Sequence, residues 1–335
     1  MDSRTKRQLS PAELDALALD ALGAGVLSAE ELPDGFANAV WRLDLEDGRQ
    51  VVLKVGPPPD LRLLTYERQL LRTEAMVYHL AAPAGIPMPA LLHVAFDDPG
   101  IGGDYLILSA LDGTPWNRAE LSPAEESAIR FEVGRHLALL HSIPSTDVFG
   151  YPYAGLTGPS WRDAFLVMMG AMLDDAVYYS TPLPVSIVEI AGLVHRNAAV
   201  LDEVRTPSLV HFDVWPGNVF LTADRRVQGL IDHERAFWGD PLADFVTPTI
   251  FGALAGDDPM LAGYRSAGGV ANLTGPAETR LALYRLYLYL ILLVENGPRR
   301  YPEESYARIR DLATRSLLGC LEVLRSRHPG AGVRV

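Results

Sequence analysis

The sequence predicts an α+β chain, with a small antiparallel sheet early and a mostly helical remainder. Three observations predict it. Ala39-Val40-Trp41-Arg42-Leu43-Asp44-Leu45 and Val51-Val52-Leu53-Lys54-Val55 read as strands with Asp47-Gly48 between them, a strong hairpin signal. Ser10-Pro11-Ala12-Glu13 and Ser122-Pro123-Ala124-Glu125 are capping boxes, each with proline at the first helical position. Further on, Val219-Phe220-Leu221 and Leu230-Ile231 read as short strands around the turn Thr222-Ala223-Asp224-Arg225.

In chain order, the first capping box opens a helix to about Leu22, and Ser28 to Glu31 reads as a second short helical turn. Pro33 to Asn38 is a turn, the hairpin follows, and Gly56-Pro57-Pro58-Pro59 ends it. A helix is expected from about Leu63 to Leu80, then strands through Leu92-His93-Val94-Ala95-Phe96 and Asp104 to Ser109. The second capping box opens a helix to about His141, with Ile129, Val133, Leu137 and Leu140 on one face. His136 and His141 read as core or interface residues. Trp161 to Tyr179, Val185 to Glu203, Glu278 to Glu295 and Tyr301 to Arg327 read as helices. The Gly-rich stretch from Val246 to Gly275 gives no pattern.

Two charges sit where apolar residues are expected. Val51, Leu53 and Val55 share one strand face, which puts Lys54 with Val52 on the other. Only Lys6 and Lys54 of the 29 basic residues are lysine. A lysine at a sheet edge ordinarily snorkels to water. Glu74, however, falls on the apolar stripe of the following helix, between Leu70, Leu71 and Val77, where a carboxylate is costly unless paired. Each residue supplies the partner that the other needs.

The later hairpin gathers polar groups. Asn218 begins one strand, Asp232 ends its partner, and Asp213 lies on the loop leading in, stiffened by Trp215-Pro216-Gly217. Two carboxylates and an amide oxygen in one small volume suit Mg²⁺, which keeps waters and leans on substrate phosphates.

His211-x-Asp213-x-x-x-x-Asn218, then Ile231-Asp232, then Gly239-Asp240-Pro241-Leu242-Ala243-Asp244 resembles the catalytic region of the aminoglycoside phosphotransferase family. The resemblance implies a two-lobed, protein-kinase-like fold, with a nucleotide-binding lobe at 1–111 and a lobe carrying the catalytic loop and acceptor site at 112–335. It implies that Asp213 receives the acceptor hydroxyl, that Asn218 and Asp232 hold Mg²⁺, and that Glu74 orients Lys54 onto the α- and β-phosphates. Gly35 and Asn38 would lie in the turn over the phosphates. Backbone groups of Ser109 and Leu111 would grip the purine, a mode that does not separate ATP from GTP. His211 would support the loop, and Trp215 would either support it or line the acceptor pocket. Glu234, Glu295 and the pair Asp174-Asp175 are candidates for the acceptor wall. One position departs from the family, where glycine usually stands between the histidine and the aspartate and this chain has Phe212.

The implied activity is transfer of a nucleotide γ-phosphate to a hydroxyl of an antibiotic of aminoglycoside, peptide or nucleoside type, giving resistance. The alternative is a metabolic kinase for a sugar, fructosamine, choline-like or homoserine-like alcohol. A catalytically dead nucleotide-binding regulator would have no need of Lys54, Glu74, Asp213, Asn218 and Asp232 together. A metal-dependent hydrolase using His211, Asp213, Asp232 and His233 would need no Lys54. The net charge of −13 argues against nucleic acid or an anionic membrane surface as a partner. The longest apolar run, Leu281 to Val294, is interrupted by Arg285 and is too short to span a bilayer. No signal peptide is evident, and the lone Cys320 fits a reducing cytoplasm.

Overall fold

The structure is a computed structural model that describes residues 3–32, 38–145 and 147–327. The first lobe is built on a five-stranded antiparallel sheet. Helix α1 (Pro11–Leu22) carries the expected capping box: the Ser10 hydroxyl accepts from the Glu13 amide and the Glu13 carboxylate accepts from Ser10. Strands β1 (Val26–Glu31), β2 (Ala39–Leu45) and β3 (Gln50–Val55) follow, then α2 (Leu70–Ala81), β4 (Leu91–Asp98) and β5 (Gly103–Ser109). The strand order is β1-β2-β3-β5-β4. Leu14 and Leu17 of α1 cover one face, with Trp41, Leu53 and Ile107. Leu71 and Ala75 of α2 cover Leu106 on the other. Lys54 pairs in register with Leu106, so it emerges on the α2 face.

Two expectations in this lobe are corrected. Ser28 to Glu31 is not a helical turn. It lies in the edge strand β1, whose residues are almost all exposed and so carry no alternation to read. The helix expected from Leu63 begins at Leu70, because Gln69 adopts a left-handed conformation (φ 56°) that separates α2 from a one-turn 3₁₀ segment, Thr65–Glu67.

The second lobe is mostly helical. Strand β6 (Thr114–Pro115) precedes α3 (Pro123–His141), whose capping box is again formed by Ser122 and Glu125. Next come β7 (Phe149–Tyr151), β8 (Leu156–Gly158), α4 (Trp161–Tyr178) and α5 (Ile187–Asn197). The chain then makes β9 (Ser208–Val210), β10 (Val219–Leu221), β11 (Val227–Leu230) and β12 (Phe237–Gly239). Helices α6 (Pro259–Ser266), α7 (Pro276–Val294), α8 (Asn296–Arg299) and α9 (Glu303–Ser326) complete it. Strand β10 pairs with β11 and β6, while β7, β8, β9 and β12 form a small separate sheet. Those strands have three residues each, too few for a period to register. Helix α6 falls inside the stretch that gave no pattern.

The core of this lobe surrounds α7, buried along nearly its whole length. Trp161 stacks on Phe237 and donates its indole N–H to Tyr284 Oη at 2.7 Å. Tyr284 in turn donates to Asp240 at 2.6 Å. The N-terminal segment touches both lobes: Arg4 N–H donates to Arg299 O at 3.0 Å, and the Arg7 guanidinium bonds to Ile101 O. No helix among the described residues is long and apolar enough to cross a membrane.

Candidate active site

The loop between β9 and β10 owes its shape to a carboxylate far away in sequence. Asp244 accepts the backbone N–H of His211 at 2.9 Å and that of Phe212 at 2.6 Å, and its Oδ2 also meets His141 Nε2 at 2.9 Å. His141 closes α3, so this helix end is tied to the loop through one side chain. Thr247 Oγ1 accepts the Val214 N–H at 3.0 Å. Phe212 itself has φ 58°, a region that glycine enters freely and other residues do not. Its ring is buried against Phe237 and Tyr287. The departure from glycine therefore costs backbone strain and gains packing.

Within the loop, His211 Nδ1 accepts the Asp213 N–H at 3.2 Å and Nε2 lies 3.2 Å from Ile231 O. Asn218 Nδ2 donates to Asp213 O at 2.9 Å, which leaves the amide oxygen unspent by that bond. Ile231 N–H donates to Asn218 O at 3.0 Å, so Asn218 stands opposite Ile231, the residue before Asp232, at the open end of the hairpin. Trp215 turns onto its own loop. Its indole covers Gly217 so closely that a Cβ there would collide with it. Asp213 has a second neighbour, Arg235, at 3.6 Å. Burial pushes the Asp213 carboxyl above the usual carboxylate range, and Arg235 opposes that shift.

Across from the loop, the Lys54 ammonium donates to Glu74 Oε2 at 2.6 Å and to Asp232 Oδ1 at 2.7 Å, with Glu234 Oε2 at 4.0 Å. Burial disfavours the ammonium, yet Asp232 and Glu74 outweigh it and hold the Lys54 pKa well above its ordinary value. Burial raises Glu74 and Glu234, while Lys54 holds Asp232 down against the same burial. Asp232 is the most open of the three, with its side chain 30 % exposed. Oxygens of Glu74, Asp232 and Glu234 lie within 4.8 Å of one another.

The other candidates separate into those near this cluster and those elsewhere. Glu234, read as an acceptor residue, lies instead against Lys54 and accepts from the Asn38 amide, which places Asn38 at the same cluster. Gly35 lies outside the described residues. The Ser109 N–H is spent on Ala90 O at 2.9 Å, so any contribution of Ser109 to a purine must come from its carbonyl. Leu111 packs its side chain against Gly229 of β11. Asp174 is exposed, whereas Asp175 is buried and accepts from both the amide and the hydroxyl of Thr65, fastening α4 to the first lobe.

Glu295 belongs to a feature that sequence reasoning missed. From Asp213 a row of alternating charges runs through Arg235, Glu295 and Arg299 to Glu67, with Arg235 to Glu295 at 3.1 Å and Arg299 to Glu295 at 2.6 Å. Arg235 and Arg299 were missed because each stands among other charged residues with no pattern around it. Asp244 closes the Gly-Asp-Pro-x-x-Asp motif, and that spacing was the available signal.

Comparison with known proteins gives one family. The model of the APH phosphotransferase enzyme family matches residues 28–284. Acyl-CoA dehydrogenase family member 11 of Gallus gallus is 27 % identical over 234 residues, covering 68 % of this chain and 28 % of that protein. Member 10 of Mus musculus is 23 % identical over 251 residues, covering 72 % and 22 %. The chain thus spans about a quarter of the length of these curated relatives. Among solved structures, a thermostable mutant of aminoglycoside phosphotransferase APH(4)-Ia, in ternary complex with AMP-PNP and hygromycin B, superposes with a TM-score of 0.61 at 20 % identity. That match covers 95 % of this chain and all of the other. A putative fructosamine-3-kinase from Thermobifida fusca gives 0.62 at 23 %, covering 91 % and 98 %. Macrolide 2'-phosphotransferase from Brachybacterium faecium gives 0.58 at 18 %, covering 96 % and 100 %.

Proposed function

The chain belongs to the APH family of phosphotransferases, kinases acting on a hydroxyl, and on that premise we propose that it moves the γ-phosphate of ATP or GTP onto a small-molecule hydroxyl held at Asp213. The observation that carries this reading is the meeting of two groups at one hairpin. Lys54, anchored by Glu74, contacts Asp232 after one strand, and Asn218, before the partner strand at the same open end, holds the Asp213 backbone. The nucleotide complex of APH(4)-Ia supports the choice of co-substrate.

The donor set suits a hard divalent cation. Three carboxylates converge on one ammonium, so the cluster holds more acidic groups than Lys54 alone can pair. Asp232 and the free oxygen of Asn218 would hold Mg²⁺, which when bound neutralises phosphate oxygens. Lys54 neutralises charge on the α- and β-phosphates, and Glu74 fixes its direction. Asp213 positions the acceptor hydroxyl. As the hydroxyl oxygen bonds to the γ-phosphorus and the bond to the β-phosphate oxygen breaks, its proton passes to the Asp213 carboxylate. The loose transition state leaves little charge on the attacking oxygen, so positioning outweighs proton abstraction. Arg235 holds Asp213 from the side and opposes the effect of burial on its carboxylate.

For the acceptor we read a hydroxylated antibiotic, with phosphorylation conferring resistance, and the hygromycin B complex of APH(4)-Ia supports that class. One observation narrows it. Near Asp213 the candidate Glu295 is already paired with Arg235 and Arg299, so it offers no open acidic wall to a molecule rich in amines. The same observation favours the second reading, a metabolic kinase for a neutral or singly charged alcohol.

The test is phosphorylation of a panel of antibiotics and metabolic alcohols, with ATP and GTP run separately in the presence of Mg²⁺. The expected product is heavier by one phosphate. Asp213→Asn should slow its formation by roughly 10²- to 10⁴-fold with the fold intact. Equal rates in the variant, or phosphate release that needs no nucleotide, would refute the assignment.

A further inference from the structure

A cavity of about 560 Å³ opens between α7, α9 and the segment 251–256, and none of the site residues lines it. Arg285 in its wall lies ten residues along α7 from Glu295, roughly 15 Å at the rise of an α-helix. The volume is that of a small-molecule site. Phe251, Leu254, Leu281, Tyr289 and Val323 make most of the wall apolar. Two of its charged groups, Glu278 and Arg327, pair with each other.

Three features mark this cavity. Arg285 is the one charged residue between Leu281 and Val294. Among the described residues its guanidinium makes a single long contact, 3.5 Å to Thr249 Oγ1, and its Nε is buried without a partner. A half-buried cation left unpaired in an apolar wall is unfavourable unless an anion meets it. Phe251, at the rim, has φ 60°, held there by its N–H donating to Tyr289 Oη at 3.2 Å and by stacking of the two rings. Backbone strain of this kind collects at ligand sites. Gly319 stands in the interior of α9, where glycine is the least favoured residue after proline, and a Cβ there would meet nothing within 4 Å. A larger side chain there has room to enter the cavity.

We propose that this cavity binds an amphipathic organic monoanion, a hydrocarbon body bearing one carboxylate, with the carboxylate on the Arg285 guanidinium and the body against the apolar wall. The planar guanidinium matches a carboxylate in bidentate geometry.

The probe is decanoate, with decanol as the neutral control, titrated calorimetrically into the full chain without nucleotide. Decanoate binds saturably at one site. Arg285→Met weakens decanoate at least tenfold and leaves decanol within threefold. Gly319→Leu, whose side chain enters the cavity, weakens both ligands at least tenfold, and its melting temperature holds or rises. Equal decanoate affinity in Arg285→Met, affinity unchanged in Gly319→Leu, or no saturable binding by the unaltered chain overturns the proposal. No nucleotide or acceptor is present, so failure here leaves the phosphotransfer reading intact, and the reverse also holds.

Discussion

Replacing Phe212 by alanine keeps the backbone at φ 58° and removes a ring that is 1 % exposed, 5.1 Å from the Phe237 ring and 6.0 Å from that of Tyr287. Loss of a core phenylalanine costs about 3–5 kcal/mol. Replacing it by glycine loses the same ring but relieves the left-handed backbone. At an ordinary position alanine would be the more stable of the two by about 0.4–1 kcal/mol, through the entropy of the unfolded chain. At a positive φ that order reverses, and glycine should lead by roughly 1 kcal/mol. In a lobe of this size that is about 2–4 °C in melting temperature. Both variants should melt on the order of 10 °C below the parent, with Phe212→Gly above Phe212→Ala. Thermal melting followed by tryptophan fluorescence reads the order directly. An alanine variant that melts at or above the glycine variant would refute the claim that Phe212 trades strain for packing.

Two further outcomes follow from burial. Lys54→Met strands the buried carboxylate of Glu74 beside Asp232 and should cost about 3–5 kcal/mol, partly recovered by adding Glu74→Gln. Melting of the single and double variants checks this, and a single variant as stable as the parent would count against the pair. Burial pushes the Cys320 thiol up to about 12 from 9.0. Only the thiolate reacts, so at pH 8 the folded chain should react with an aromatic disulfide reagent roughly 10³-fold more slowly than the chain in urea. The folded-state rate should climb about tenfold per pH unit towards that pKa, and a flat profile would show that the thiol is not shielded as described.

How much of this was legible in the sequence depended on how each residue announces itself. Lys54 and Glu74 were readable because strand alternation and helix periodicity each placed a charge on an apolar face, and in the structure they lie 2.6 Å apart. The hairpin of β10 and β11 was readable from its turn and its apolar runs. β1 was not, since an exposed edge strand has no buried face to alternate with. The break at Gln69 left no trace, because a single residue with positive φ that is neither glycine nor asparagine carries no signal. Glu234 and Arg235 are adjacent in sequence, yet one reaches Lys54 and the other Asp213. A single 3₁₀ turn, 233–235, sends them to different partners, and short irregular turns are the least readable part of any chain.

Asp244 has a consequence for how such a loop changes over generations. A loop that shapes itself from within has to keep the residues that its own bends demand, and glycine at position 212 would be one of them. Here the bend is imposed from thirty-two residues downstream, by one carboxylate that takes two successive amides and a histidine. That outside hold keeps position 212 at a positive φ in spite of the strain, so a bulky aromatic can sit there and take up core packing. Loss of the Asp244 carboxylate would therefore fall on the loop, the end of α3 and the Phe212 backbone together.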